Sequence, residues 1–258
     1  MFAARLRFAD VQHREVVVNY ANPLLIRIRA LAQQLHILRP IVRIYRRILG
    51  EAYEQKFRDL LLTNIKEGDL VWDVGANVGL YTKLFVDRVG RDGKVVAFEP
   101  SPRAFAQLQS SFATEPNVIL QEVALSDFDG EADFFVAERG STVTDSLVVR
   151  SGNSASIRTW VKRGDSALNA PALNAPAIIK LDVEGAELEV LKGMTKTLRD
   201  PGLRGVFVEV HFLALARRGM RTAPVEIQKI LEQAGFDVVW TDASHIAGLR
   251  KSTLKDQQ

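Results

Sequence analysis

The segment 69–82 constrains the fold of this chain more than any other stretch of its sequence. It reads Asp-Leu-Val-Trp-Asp-Val-Gly-Ala-Asn-Val-Gly-Leu-Tyr-Thr. The apolar run from Leu70 to Val74 is typical of a strand that is buried on both faces, and Gly75 provides a turn where that strand ends. Gly79 lies at the beginning of the next helix. Because glycines let backbone N–H groups and the positive end of a helix come close to a ligand, the segment predicts a nucleotide-type cofactor site.

The spacing of these glycines separates two classes of cofactor. A dinucleotide fingerprint reads Gly-x-Gly-x-x-Gly, and the place of its second glycine is taken here by Asn77. Asp73 at the end of the strand would repel a diphosphate but suits a cationic group such as the ammonium of an amino acid. The next apolar strand, 94–98, ends at Glu99, where an acid can accept hydrogen bonds from both ribose hydroxyls. A nicotinamide-dependent oxidoreductase is therefore disfavoured, although it stays an alternative.

Five motifs in this order resemble the FkbM-type methyltransferases, a class I S-adenosylmethionine-dependent family. The resemblance runs from about Tyr53 to Arg250. Its motifs are Val71–Tyr81, Ala97–Ser101, Ala124–Asp127 followed by Gly130, Ile179–Glu187 and Val208–His211. The resemblance implies an α/β fold with a doubly wound, mostly parallel sheet. It also implies S-adenosylmethionine as the cofactor and methyl transfer, usually to a hydroxyl oxygen of a sugar or natural product.

The resemblance also indicates where the cofactor should bind. Related enzymes hold it at the carboxyl ends of the first strands, and they position the adenine with backbone groups after the third strand. The residues that we expect to bind the cofactor are Asp73, Gly75, Ala76, Asn77, Gly79, Glu99, Pro100, Ala124, Leu125 and Asp182. The structural alternatives are a turn cap for Asp73, an exposed strand end for Glu99, and a plain strand-to-loop junction for Ala124 and Leu125.

Polar residues at the ends of two later strands are candidates for the chemistry. Asp182 and Glu184 are two residues apart and share one side of an extended strand, and Glu209 and His211 repeat that spacing. Because His211 can accept a proton near neutral pH, we predict it as the general base, with Asp182 as the second choice and Glu209 beside them. A structural role for His211 remains open. We expect no resident metal, although Asp182, Glu209 and His211 could bind a divalent ion, because their spacing matches no compact metal motif.

Apolar periodicity predicts an alternation of helices and strands, and so a parallel sheet with right-handed crossovers. The predicted helices are 53–64, 78–89, 102–113, 186–198 and 222–234, and the predicted strands are 69–74, 94–98, 117–121, 178–183, 205–210 and 236–240. Two extra strands, 131–137 and 156–162, flank a polar loop at 140–154. We expect 245–250 to form an antiparallel strand at the edge of the sheet.

Residues 1–50 form a separate, basic region before the methyltransferase domain that we assign to 51–258. They contain nine arginines and no lysine against Asp10 and Glu15, while the whole chain carries a net charge of only +3. Apolar residues recur at helical spacing between Leu24 and Leu49, which predicts an amphipathic helical extension. Its apolar stripe either packs on the domain or a partner, or residues 16–50 make a weak contact with anionic membranes or a lipid-linked acceptor.

Composition excludes several other classes of protein. The chain has no cysteine, so disulfides, thiolate metal sites and a cysteine nucleophile are absent. No long uninterrupted apolar segment predicts a secretory leader or a membrane span, so we expect a cytoplasmic protein. No nucleic-acid partner is expected, because the basic region lacks an aromatic stacking platform. The expected partner is a small-molecule or glycan acceptor, and a methyltransferase-like binding module without activity is the alternative.

Overall fold

The computed structural model of the protein describes residue 22 and residues 52–136, 155–168 and 174–250. The basic extension at 1–50 and the polar loop at 140–154 lie outside these residues except for Asn22. The predicted membrane contact of residues 16–50 therefore stays a prediction. In the described part of the chain, no helix has the length and apolar character that a membrane span requires.

Ten strands and seven α-helices make up the described structure. The strands are β1 (Leu70–Val74), β2 (Lys94–Phe98), β3 (Val118–Gln121), β4 (Ala124–Ser126), β5 (Gly130–Val136), β6 (Ala155–Arg163), β7 (Ile178–Leu181), β8 (Gly205–Glu209), β9 (Asp237–Trp240) and β10 (His245–Leu249). The helices are α1 (Ala52–Asn64), α2 (Leu80–Val89), α3 (Pro102–Ser111), α4 (Gly164–Ala167), α5 (Glu187–Lys192), α6 (Phe212–Arg217) and α7 (Ala223–Gln233), with a 3₁₀ turn at Thr197–Arg199.

Seven strands form the main sheet, in the order β3-β2-β1-β7-β8-β10-β9. All neighbours from β3 to β8 pair in parallel. Only β10 runs against both of its neighbours. The predicted doubly wound, mostly parallel sheet is confirmed, with the strand order reversing direction at β1 and β7. This reversal creates a crevice beyond the carboxyl ends of the strands, which is where ligands bind in such sheets.

The sheet is buried because its central strands are apolar on both faces. Val71 and Ile178 pack on one face with Phe57 and Leu61 of α1. Their chain neighbours point to the opposite face, where the core includes residues of α5 and α7. Successive side chains of a strand point to opposite faces, so a continuous apolar run is the expected signature of a sheet covered by helices on both sides.

The predicted edge position of the last strand is wrong. Strand β10 is antiparallel as predicted, but it lies between β8 and β9, and β9 forms the edge of the sheet. The physical reason is burial: Ile246 and Ala247 are fully buried, whereas Asp237 at the start of β9 is exposed. An edge strand leaves such a charge in contact with water, whereas a charge in a central strand needs a buried partner.

The predicted helix 186–198 is shorter than expected. Helix α5 ends at Lys192, and the chain continues to the 3₁₀ turn. At the end of α5, a Cβ on Gly193 would lie 1.9 Å from the carbonyl oxygen of Ser126. Only glycine lets β4 approach the end of this helix so closely. Strand β4 and the short helix α6 were not predicted, since both are too short to show a period.

A second, three-stranded sheet of order β4-β6-β5 packs beside the main one. Asp165 in α4 joins the two parts of the fold. Its carboxylate accepts hydrogen bonds from the backbone N–H groups of Lys196 and Thr197, at 3.0 and 2.9 Å, and from the hydroxyls of Thr195 and Thr197. Burial opposes the charged form, but these hydrogen bonds outweigh it and hold the pKa of Asp165 below its usual value.

We expect Asp165→Ala to lower the free energy of unfolding by about 1 to 3 kcal/mol, the scale for losing hydrogen bonds to a charged group. A group with a lowered folded-state pKa stabilises the fold above its unfolded pKa and loses that effect as the pH falls through its folded pKa. The difference between the two proteins should therefore be constant near neutral pH and shrink below about pH 4. Urea unfolding at several pH values measures it, with the exposed Asp133→Ala as the control. A difference that grows on acidification would contradict this assignment.

Candidate active site

The loop after β1 lies directly against the end of β7. Gly75 has a φ of +81°, and a Cβ at this position would lie 1.8 Å from the backbone carbonyl oxygen of Asp182. The following residues, Asn77 and Val78, are exposed at the carboxyl end of the sheet. The contact at Gly75 therefore brings the predicted cofactor loop to the strand end that carries the predicted catalytic acid.

Glu99 fixes the other side of this loop. One oxygen of its carboxylate accepts a hydrogen bond from the backbone N–H of Asn77 and the other from that of Ser101, both at 2.8 Å. A carboxylate has about four lone-pair positions, so these two donors orient it without using its full capacity. An oriented carboxylate at the end of β2 fits the predicted recognition of ribose hydroxyls.

Asp73 lies behind the loop, fully buried. Its Oδ2 accepts a hydrogen bond from the hydroxyl of Thr82 at 2.6 Å, and its Oδ1 lies 3.7 Å from Nζ of Lys180. Burial raises the pKa of the Asp73 carboxyl, and the charge of Lys180 opposes this rise. The cation that the structure places beside Asp73 is thus Lys180, and the predicted contact of Asp73 with a ligand stays a prediction.

Lys180 connects Asp73 with Asp182 at the end of β7. It was not among the residues predicted for the site. Its Nζ lies 3.2 Å from Oδ2 of Asp182 and 4.8 Å from the centre of the Tyr81 ring. Burial lowers the pKa of Lys180, but the charges of Asp182 and Asp73 outweigh it and raise that pKa above its usual value. The signal that marks this residue is a charge inside the apolar run 178–181, since a buried lysine requires a partner.

His211 is surrounded by carboxylates. Its Nδ1 lies 2.7 Å from Oε1 of Glu187. Its Nε2 faces Glu184 at 3.4 Å, and Asp182 and Glu209 at 3.7 Å each. The structure therefore brings together the three predicted catalytic residues, Asp182, Glu209 and His211, and adds Glu184 and Glu187 to them.

The charges around His211 change its predicted chemistry. Burial lowers the pKa of the imidazole, but the hydrogen bond to Glu187 and the charges of Glu187, Glu184 and Asp182 raise it to about 10. With these carboxylates alone, the ring carries a proton at neutral pH and has no capacity to take another. The predicted role of His211 as a base therefore requires a change in this environment.

Glu187 is the first residue of α5, where a negative charge stabilises the beginning of a helix. Its side chain is fully buried, and its Oε1 also accepts a hydrogen bond from the backbone N–H of Gly185 at 2.8 Å. Glu187 thus ties the ring of His211 to the loop that carries Glu184.

A second histidine, His245, lies on the far side of Glu209. It is buried at the start of β10, opposite Glu209 in the antiparallel register. Its Nε2 lies 3.5 Å from Oε2 of Glu209, and its Nδ1 lies 2.8 Å from both oxygens of Asp242. Burial opposes the charge of Glu209, but the hydrogen bond from His245 and the charge of His211 outweigh it and lower the pKa of Glu209 to about 2. No local spacing marks His245, because only the strand pairing brings it here.

The remaining predicted cofactor residues lie in the loop after β1, directly after β2, and in β4 of the second sheet. Ala76 is buried next to Gly75, Gly79 immediately precedes α2, and Pro100 is partly buried after Glu99. Ala124 and Leu125 are buried in β4, where they pair with Val161 and Lys162 of β6. Their predicted role beside the adenine stays a prediction.

Comparison with known proteins shows which family this chain is similar to. The family model described as "Methyltransferase FkbM domain" matches residues 73–238. The hexuronic acid methyltransferase AglP of Haloferax volcanii is 31% identical over 204 residues, which cover 77% of this chain and 78% of that protein. The 2-O-methyltransferase NoeI of Sinorhizobium fredii is 26% identical over 147 residues, which cover 52% of this chain and 60% of that protein.

A solved structure described as methyltransferase FkbM from Methylobacillus flagellatus KT is also similar. It aligns with 70% of this chain and 43% of its own length, at 14% identity and a TM-score of 0.48. This chain thus spans less than half of that protein.

We expect Lys180→Met to destabilise the fold, because it leaves Asp73 buried without its compensating charge. The free energy of unfolding should fall by about 3 to 5 kcal/mol, the cost of breaking a buried ion pair from one side. Urea unfolding measures it, with Lys83→Met, at an exposed position of α2, as the control. Adding Asp73→Asn to Lys180→Met should recover part of the loss. A double variant that is no more stable than Lys180→Met alone would show that the ion pair is not the cause.

Proposed function

The chain belongs to the FkbM methyltransferase family, and on that premise we propose that it methylates a hydroxyl oxygen of a sugar, glycan or secondary metabolite. Family membership confirms the predicted class of enzyme, a transferase that takes its methyl group from S-adenosylmethionine. The positions of the individual site residues and the acceptor belong to the proposal.

One observation carries the proposal: the contact of Gly75 with the backbone of Asp182. It joins the loop that Glu99 holds to the cluster around His211. Glu99 would hold the nucleoside of the cofactor, and the cluster around His211 would lie on the side of its reactive group. Neighbouring strand ends of one sheet would then position both the cofactor and an acceptor.

The residues present fit this cofactor. Glu99 presents an oriented carboxylate for ribose at the end of β2. When bound, S-adenosylmethionine supplies a methyl group on a positively charged sulfur. The excess of carboxylates over cations around His211 suits that positive charge. Since the methyl group is already activated, the main task of the protein is alignment, which can contribute on the order of 7 to 11 kcal/mol.

The proposed methyl transfer is a direct displacement. The acceptor oxygen forms a bond to the methyl carbon, the bond from that carbon to sulfur breaks with its electron pair going to sulfur, and the acceptor oxygen loses its proton. A general base typically adds about 10² to 10⁴-fold to the rate. We assign the handling of that proton to Asp182, Glu209 and His211, which lie together in this crevice.

The names of the relatives support the acceptor class. The Haloferax protein is named for a hexuronic acid, and the Sinorhizobium protein for 2-O-methylation. Both names are compatible with a hydroxyl oxygen as the acceptor atom. We therefore propose hydroxyl groups of sugars as the first acceptors to examine.

We expect Glu99→Gln to weaken the binding of S-adenosylhomocysteine by about 1.5 to 3 kcal/mol, the scale of hydrogen bonds to a charged group. An amide offers one acceptor oxygen in place of two, and its NH₂ group opposes the backbone donors of Asn77 and Ser101. Isothermal titration calorimetry measures the change, with Glu122→Gln, an exposed residue after β3, as the control. Unchanged affinity in a correctly folded Glu99→Gln protein would remove the ribose role.

A methyl-transfer assay tests the reaction itself. Radiolabelled S-adenosylmethionine is incubated with the protein and a panel of hydroxyl-bearing sugars, uronic acids and glycans, and the label is expected in an acceptor. His211→Gln should lower the turnover number about 10² to 10⁴-fold and leave cofactor affinity within a few-fold, because the residue acts at the acceptor oxygen. Cofactor binding without transfer to any acceptor would instead support the binding-module alternative. Full turnover in His211→Gln would exclude a role for that residue in the reaction.

A further inference from the structure

We propose that Asp182, Glu184 and His211 bind a divalent cation of the Mg²⁺ or Mn²⁺ type on the acceptor side of the active site. The use of such an ion in catalysis rests on the proposed methyl transfer. The ion site itself is defined by the positions of the three residues. One ligand atom from each residue lies within 4.8 Å of the other two. From the sequence we expected no resident metal. The spacing of the residues does not show that the loop at Glu184 folds back toward the end of β8.

The orientation of the imidazole is the first argument. Nδ1 of His211 is held 2.7 Å from the fully buried carboxylate of Glu187, to which it donates its N–H. Metal-binding histidines commonly donate their second ring N–H to a carboxylate in this way. Nε2 faces oxygens of Asp182, Glu184 and Glu209 at 3.4 to 3.7 Å. A divalent ion at this point would take the place of the proton that Nε2 carries in its absence.

The anchoring of the carboxylates is the second argument. Asp182 has its Oδ2 next to the ammonium of Lys180, and its Oδ1 is the oxygen near His211. Glu209 has its Oε2 next to His245, and its Oε1 is the oxygen near His211. Each carboxylate is thus held by a different cation through one oxygen and presents its other oxygen to Nε2 of His211. Because Asp182 is already fixed, it loses little conformational freedom when an ion binds, and Glu209 adds a fixed negative charge beside it.

The loop that carries Glu184 is held as well. Arg218 donates a hydrogen bond from Nη1 to the carbonyl oxygen of Gly185 at 2.5 Å, and its Nη2 pairs with Glu189. Glu184 itself has a φ of +56°. Its side chain is only partly exposed and its Oε2 lies 3.4 Å from Nε2 of His211. The third ligand is therefore positioned by a loop that is tied to α5 and α6.

The donor set indicates the kind of ion. Two carboxylates and one imidazole, with no thiolate in a chain that lacks cysteine, suit a hard or intermediate divalent ion such as Mg²⁺ or Mn²⁺. Three protein ligands leave coordination positions for an acceptor hydroxyl and for water. A hydroxyl that is coordinated to such an ion releases its proton more readily, and the proton passes to solvent. The ion, and not His211, then assists the loss of that proton.

Electron paramagnetic resonance with Mn²⁺ tests the site without cofactor or acceptor. Adding the wild-type protein to Mn²⁺ should remove the six-line signal of the free ion with a stoichiometry of one per chain, and Mg²⁺ should restore it by competition. Glu184→Gln and His211→Gln should each weaken Mn²⁺ binding at least about ten-fold, and Glu187→Gln, which removes only the orienting carboxylate, by about 10 to 100-fold. Asp133→Asn, on the second sheet, is the matched control and should bind as the wild type does. Circular dichroism verifies that each variant is folded.

The outcomes separate this proposal from the proposed function. Wild-type protein that leaves the Mn²⁺ signal unchanged, or a folded Glu184→Gln and His211→Gln pair that bind Mn²⁺ like wild type, would overturn the metal site. Methyl transfer that continues undiminished in a chelator would do the same and leave the function intact. Specific Mn²⁺ binding in a protein that methylates no acceptor would support the site and contradict the function.

Discussion

The ion pairs of the buried Lys180 ammonium group are the interactions on which both halves of the site depend. This group lies between Asp73 on β1 and Asp182 after β7, so one ammonium group pairs with carboxylates from neighbouring strands. A buried charge is tolerated only where partners surround it, which makes the relative position of these strand ends strict. The loop at Gly75 leaves β1 immediately beyond Asp73 and rests on Asp182. The cofactor loop and the acid cluster are therefore placed by the same ion pair.

Around that fixed point, carboxylates outnumber the cations. Asp182, Glu184, Glu187 and Glu209 all approach His211, while Lys180 pairs with Asp182 and His245 with Glu209 from the other side. A fold selected for stability alone would replace such a cluster with apolar or neutral side chains. A positively charged sulfonium, a divalent cation, or both in turn would complete the electrostatic balance. The stability that these repulsions remove is recovered in the fully buried strands beneath the cluster.

Short-range patterns predicted the parts of the molecule that are locally determined. Apolar runs located the central strands to within one or two residues, and the Gly75 loop followed from its own sequence. The residues that were missed have partners far away along the chain. His245 reaches Glu209 through an antiparallel pairing across 36 residues, and the insertion of β10 beside β8 depends on burial that no local window contains. Lys180 was visible as a charge in an apolar strand, but its pairing with Asp73 on the neighbouring strand was not.

The insertion of β10 has a consequence for the order in which the protein becomes competent during synthesis. A ribosome delivers β1, β7 and β8 before β9 and β10, and the first three of these strands pair in parallel with one another. Glu209 meets His245 only when β10, which forms an antiparallel pair with β9, also pairs with β8. The contact of Glu209 with His245 therefore forms only after the chain has been synthesised through His245.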